Sequence, residues 1–210
     1  MSNHLKRISL VLFLLLFQIS SGYGQTRKHT LSAGYGRAPV QGILYGFLRG
    51  IFSDVVWERN RRAEYGPIQL SYSYALSEKV DLGLSASLTQ LALQGRYFEP
   101  DSPQNPNYPP MDYEKVIARE TRRYLAVMPV FSFKWIQEEK VTLYSGASLG
   151  ALQLVTRSWF EGTPPQELTE VIPAAHLHLI GVQYGKRVRV YGELGFGVQG
   201  VLNGGVAFKL

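Results

Sequence analysis

The chain has 210 residues, 22 Lys plus Arg against 16 Asp plus Glu, and no cysteine, so it offers neither a disulfide framework nor a Cys-based metal site. Charged residues make up 18%, below the roughly 25% of soluble domains, while aromatics reach 12%; the composition is too apolar for a disordered chain.

At the start, Lys6 and Arg7 precede the apolar run Ile8–Phe17, and small residues follow at Ser20, Ser21, Gly22 and Gly24. A basic flank, an apolar stretch too short to span a bilayer and a small-residue site predict a signal peptide over residues 1–24. The cut is expected near Gly24–Gln25, with no later cysteine to carry a lipid anchor. Residues 25–210 then form one domain with 20 basic and 16 acidic groups, a charge of +4. That balance gives no reason to expect nucleic acid, which a secreted protein rarely meets.

Past this segment the recurring signal is period-2 alternation, the mark of strands. Ile68, Leu70, Tyr72, Tyr74 and Leu76 alternate with Gln69, Ser71, Ser73 and Ala75; Val80, Leu82, Leu84, Ala86 and Leu88 alternate with Asp81, Gly83, Ser85, Ser87 and Thr89. Further on, Val188, Val190, Leu194, Phe196 and Val198 oppose Arg189, Tyr191, Glu193, Gly195 and Gly197. Eight strands follow in chain order, at about 28–36, 66–76, 79–93, 117–136, 139–158, 168–184, 187–199 and 203–210. Ser77-Glu78, Gln137-Glu138 and Gly185-Lys186 are tight turns. The links 37–65, 94–116 and 159–167 are long, and a short last hairpin lies near Gly200–Leu202. Short turns on one rim and long loops on the other predict an all-β fold, an eight-stranded antiparallel up-and-down transmembrane β-barrel of the outer membrane. An even strand count puts both termini on the periplasmic side.

The polar face carries mostly Gly, Ser, Ala and Thr with sparse charge, which suits the narrow lumen of eight strands. The bulky apolar face then meets lipid. Tyr35, Tyr97, Trp135, Trp159, Phe160 and Phe208 near strand ends fit aromatic girdles. The opposite assignment, a lipocalin-like soluble periplasmic barrel with apolar residues lining a cavity, is the alternative; its solvent face would need many Lys and Glu.

The first long link carries Val40, Ile43, Leu44, Phe47, Leu48 and Ile51 at helical spacing after Pro39, which predicts a short amphipathic helix. Gly42, Gly46 and Gly50 recur on another face. The helix is read either as a lid or membrane-surface element at the outer mouth, or as a cover for apolar surface. The second link, Phe98 to Tyr113, holds five prolines and is expected to be extended, a solvated segment or a place to meet an extracellular ligand.

From Pro67 on, several stretches carry a family likeness: Met128-Pro-Val-Phe-Ser-Phe-Lys-Trp135, Leu143-Tyr-Ser-Gly146-Ala-Ser-Leu-Gly150, Gly181-Val-Gln-Tyr-Gly185-Lys186, Glu193-Leu-Gly195-Phe-Gly197, Gly200 and the terminal Gly204-Gly-Val-Ala-Phe-Lys-Leu210. The chain resembles the OmpA/OmpX-like outer-membrane β-barrel domain proteins common in Bacteroidetes. The resemblance implies the barrel fold, outer-membrane lipid and lipopolysaccharide as surroundings, and the barrel-assembly machinery as partner; it implies no single activity. One departure is Leu210, where such barrels end on an aromatic residue; Phe208 stands two positions earlier.

Glu193 is the most informative charge, since parity puts it in the lumen. A last turn centred on Val201 would set it opposite Lys209. Buried charge needs a partner, so a Glu193–Lys209 or Glu193–Arg189 pair is expected, in a structural network that also draws in Asp81 and Lys134. His176 and His178 share one face. Lipid A deacylases of the outer membrane use a His and a Ser two apart on a strand plus a Glu, but here the second position is His178, so the nucleophile is missing. Two histidines also fall short of a zinc site. They are read as luminal hydrogen-bonding groups, with no metal, cofactor or catalytic residue expected. Arg119 and Arg123, near the outer end of the fourth strand, are candidates for lipopolysaccharide phosphates, while Arg122 fits either that role or a luminal ion pair. The functional expectation is an integral outer-membrane barrel with a structural or surface-interaction role, neither a general porin nor an enzyme. A lipid-modifying enzyme is a second alternative.

Overall fold

A computed structural model describes residues 28–43, 55–59, 64–97 and 116–210, with residues 55–59 and 97 described by their backbone alone. The expected signal peptide and the proline-rich link lie outside these residues. Nine strands are present among them: β1 (His29–Arg37), β2 (Val55–Arg59), β3 (Tyr65–Ala75), β4 (Val80–Tyr97), β5 (Ala118–Gln137), β6 (Val141–Phe160), β7 (Gln166–Gly185), β8 (Val188–Gly197) and β9 (Leu202–Lys209).

Eight of them pair antiparallel in chain order, and β1 meets β9 to close the ring. Closure satisfies the ladder groups that an open edge would leave bare. The ninth, β2, lies within the link that the sequence pattern reads as loop, 37–65. It pairs with the outer end of β4, from Val55↔Tyr97 to Arg59↔Leu93, just beyond the last β3 pair, Tyr65↔Gln90. A five-residue strand inside a long link is too short for alternation to reveal.

Alternation decides which side of the ring each residue takes. Gln69, Ser85, Ser87, Thr89, Thr142, Ser148, His176 and Asn203 are buried inside, whereas Leu70, Leu84, Phe131, Leu149, Leu177 and Val190 are exposed outside. A lipocalin-like binder would need the reverse. Of the aromatic side chains expected near strand ends, Tyr35, Trp135 and Phe208 are exposed on this outer face, whereas Phe160, also exposed, lies across from the buried Ala118 at inward parity.

The lumen is filled unevenly. Towards the long-link end, Leu91, Tyr124, Ala126, Met128, Leu152, Leu154 and Ala174 form an apolar plug, with Val198 packed against it. The expected first-link helix begins over this plug: residues 40–43 make its first turn, with Gly42 and Ile43 donating to the Pro39 carbonyl, and Gln41 Nε2 donates to the Val198 carbonyl at 3.1 Å. Its continuation lies outside the described residues. At the tight-turn end the ring opens into a cavity of about 420 Å³ lined by Lys28, Glu78, Asp81, Lys134, Arg189 and Lys209 among others.

The strands differ in height. β4 has 18 residues and β5, β6 and β7 have 20 each, against 9 for β1, 11 for β3, 10 for β8 and 8 for β9. β7 pairs with β8 only from His176↔Gly197 towards the turn, so Gln166–Ala175 has no strand on that side among the described residues. The β6–β7 link, expected over 159–167, shrinks to five residues, because β6 runs to Phe160 and pairing with β7 extends to Ser158↔Gln166, with Gly162 at φ +80° in the turn. Residues 166–173 are exposed on both faces, so no alternation marks the exact start of the strand expected from about 168.

Candidate functional site in the barrel lumen

The β8–β9 hairpin fixes where Glu193 looks. Gly197 and Gly200 both adopt positive φ, +144° and +108°, where a side chain would be strained. They place the reversal at 198–201 and the register at Glu193↔Asn203. The expected turn centre at Val201 is therefore three residues too late. Glu193 does not face Lys209, which lies across from Thr30. Nor does it pair with Arg189, whose guanidinium donates to Thr142 Oγ1 at 3.1 Å and Gln183 Oε1 at 3.3 Å near the turn-side mouth.

Glu193 instead meets four groups from three strands. Tyr144 on β6 donates its hydroxyl to Oε2 at 3.0 Å, and Asn203 on β9 donates Nδ2 to Oε1 at 3.1 Å. His178 Nδ1 and His176 Nε2 on β7 lie 2.8 and 3.5 Å from Oε1. The histidine rings stand edge to face with centroids 4.7 Å apart.

The small residues of β8 make this crowding feasible. Gly195 and Gly197 lie opposite His178 and His176; a Cβ on Gly195 would come 2.6 Å from His176 Nε2, and one on Gly197 would come 2.9 Å from Nδ1. Opposite Glu193, Gly181 leaves room for the Tyr144 ring, which a Cβ there would meet at 2.2 Å. The alternation of Gly and Glu along β8 is thus matched to bulky polar groups on β6 and β7.

From Asn203 the polar chain continues across the lumen. Its Oδ1 accepts from Gln69 Nε2 at 2.7 Å, and the same amide reaches the Gln199 carbonyl at 2.9 Å. Gln199 Nε2 donates to Ser85 Oγ at 3.0 Å, and Ser85 donates to the Met128 carbonyl at 3.2 Å. Strands β3, β4, β5, β6, β8 and β9 are thereby joined through side chains. Sequence reasoning missed Tyr144, Asn203, Gln69 and Gln199. The available signal was long polar side chains at luminal parity, but their meeting depends on register and ring closure.

Asp81 and Lys134 pair with each other at 2.7 Å rather than with Glu193, and both line the turn-end cavity. On β5, Arg122 turns inward and binds the buried Glu120. Arg119 and Arg123 face outward; the Arg119 guanidinium lies 5.9 Å from the Trp159 ring centroid, and Arg123 donates to Gln90 Oε1 at 2.7 Å. A serine does occur near the histidines, since Ser148 lies across from His176, but its hydroxyl points to the His176 carbonyl at 3.4 Å and approaches Met128 Sδ at 3.8 Å. The His176 and His178 rings look into the lumen rather than to the apolar exterior.

No family model matches the chain, and no curated protein matches it. Among solved structures it is similar to Ail, the attachment invasion locus protein of Yersinia pestis, at 14% identity and a TM-score of 0.41, covering 86% of this chain and 97% of that one. The same protein in complex with the heparin analogue sucrose octasulfate matches at 13% identity and a TM-score of 0.42, over 86% and 97%. The barrel assignment for this chain rests on its own strand ring.

Proposed function

We propose that the chain is an integral outer-membrane barrel of the OmpA/OmpX-like type, with a structural or surface-interaction role, its termini and tight turns in the periplasm and its long links outside the cell. The observation that carries this is the outer face, where Leu70, Leu84, Leu149, Leu177 and Val190 are each at least half exposed while the lumen is polar. A water-soluble monomer rarely exposes contiguous apolar surface beyond a few hundred Å², whereas a bilayer covers such a band. The plug argues against a porin, because the lumen narrows to packed side chains at one end. A lipid-modifying role would ask for a nucleophile at the lipid boundary, and the His176–His178 pair faces away from it.

Contact with lipopolysaccharide phosphates falls to Arg119 and Arg123, which stand outward at the long-link end. The reading is tested by electrophoresis of membrane-extracted protein in SDS, unheated against boiled. A band that shifts on boiling supports a detergent-resistant barrel in the membrane; recovery in the soluble periplasmic fraction, without a shift, would overturn it. The double change Arg119→Gln with Arg123→Gln should weaken binding to purified lipopolysaccharide while leaving the shift intact.

A further inference from the structure

The geometry points to a divalent transition-metal site, of the kind zinc occupies, formed by His176 Nε2, His178 Nδ1 and Glu193 Oε1 inside the barrel. This inference needs the closed ring but not the membrane location proposed above. The three donor atoms lie within 4.8 Å of one another, and the two distances to the carboxylate oxygen are 2.8 and 3.5 Å. Tetrahedral ligands held at about 2.0–2.1 Å from zinc sit roughly 3.3–3.4 Å apart, so only small side-chain adjustments are needed to bring the set around one ion. Imidazole with carboxylate is a donor set suited to such metals.

A second observation comes from the rings themselves. His176 and His178 are buried, yet none of their four ring nitrogens makes a well-formed hydrogen bond; the 2.8 Å approach of His178 Nδ1 to Glu193 lacks the angles of one. Buried polar atoms left this way are destabilising, and a shared cation would use two of them at once. The carboxylate is also held as supporting partners hold metal ligands: Tyr144 fixes Oε2 at 3.0 Å, and Asn203 braces Oε1 at 3.1 Å. A fourth, exchangeable position would face a cavity of about 80 Å³ that borders His178 and Glu193 and shares Asp81 and Lys134 with the turn-end opening, giving the ion a way in.

The test uses the mature barrel in detergent, stripped with chelator and titrated with zinc or cobalt(II) alone. One ion per barrel is expected, with the intense visible absorption of tetrahedral cobalt, and X-ray absorption of the zinc-loaded protein should show two imidazoles. His178→Gln and Glu193→Gln, checked for the boiling shift, should each weaken binding more than roughly a hundredfold, and Tyr144→Phe by about ten- to a hundredfold. Absence of stoichiometric uptake by the folded wild type, an all-oxygen metal shell, or undiminished uptake by folded His178→Gln and Glu193→Gln variants would each overturn the site. A wild type without the boiling shift would instead indict the barrel.

Discussion

At the scale of single residues, the lumen works by pairing bulk on one strand with glycine on the next. Gly195→Ala would push a methyl group to 2.6 Å from His176 Nε2 and 2.7 Å from the Leu177 carbonyl. Overpacking of this sort costs about 1–3 kcal/mol, so the variant should melt well below wild type in detergent. Gly192→Ala is the matched control: a Cβ there meets nothing within 4 Å, and its melting temperature should stay near wild type. Glu193→Gln exchanges one acceptor oxygen for a donor amide, so one of Tyr144 and Asn203 loses its acceptor. A loss of about 1–3 kcal/mol is expected from the unsatisfied group, read as a lower melting temperature. A double-mutant cycle with Asn203→Leu should show coupling between the two positions; strict additivity would mean that the 3.1 Å contact contributes nothing.

At the scale of elements, the strands were legible wherever one face was apolar and the other small or polar, as in β3, β4 and β8, because burial on one side of a sheet imposes a period of two. Legibility failed where that asymmetry ends. The stretch Gln166–Pro173 is exposed on both faces, so its composition marks no sharp boundary, and the expected start of β7 at about 168 falls two residues inside the strand. The last hairpin failed for a different reason: Gly197, Gly200, Gly204 and Gly205 offer several reversal points, and parity alone cannot choose among them. With the turn misplaced, Glu193 found the wrong partner, and the cluster with Tyr144, His176 and His178 stayed hidden. The two faces also make opposite demands on substitution. In β4, Leu84 points outward and Ser85 inward. Leu84→Arg should therefore cost about 2–4 kcal/mol if it lies near the bilayer midplane, measured as reduced refolding yield into lipid vesicles, whereas Leu84→Phe should be neutral. Equal tolerance of both would contradict the outward placement against lipid.

At the scale of the whole molecule, the barrel is a vessel open at one end. The plug around Met128 and Leu152 separates the long-link side from the cavity at the turns, so planar-bilayer recordings should show no sustained conductance steps. Steady openings would mean that the packed layer leaves a water path. Leu152→Ala, which hollows a side chain only 2% exposed, should cost about 2–5 kcal/mol on unfolding. The unequal strand heights also act as a depth gauge. Along Gln166–Ala175, β7 has backbone groups with no neighbouring strand on one side among the described residues, and hydrocarbon tolerates no such edge. In the outer membrane proposed for this barrel, the oily layer should stop near the level of the Ala175 and Gly197 backbones, leaving the taller wall of β4 to β7 above it in the headgroups or in water. Below that line β8 has ten residues, Val188 to Gly197. Ten residues of strand, tilted as barrel strands are, climb about 25 Å, the height of the apolar band in outer-membrane barrels. The low wall of β8, β9 and β1 would thus set the waterline, and the uneven rim would leave the flank of β4 to β7 standing proud of that membrane while the other lies nearly flush.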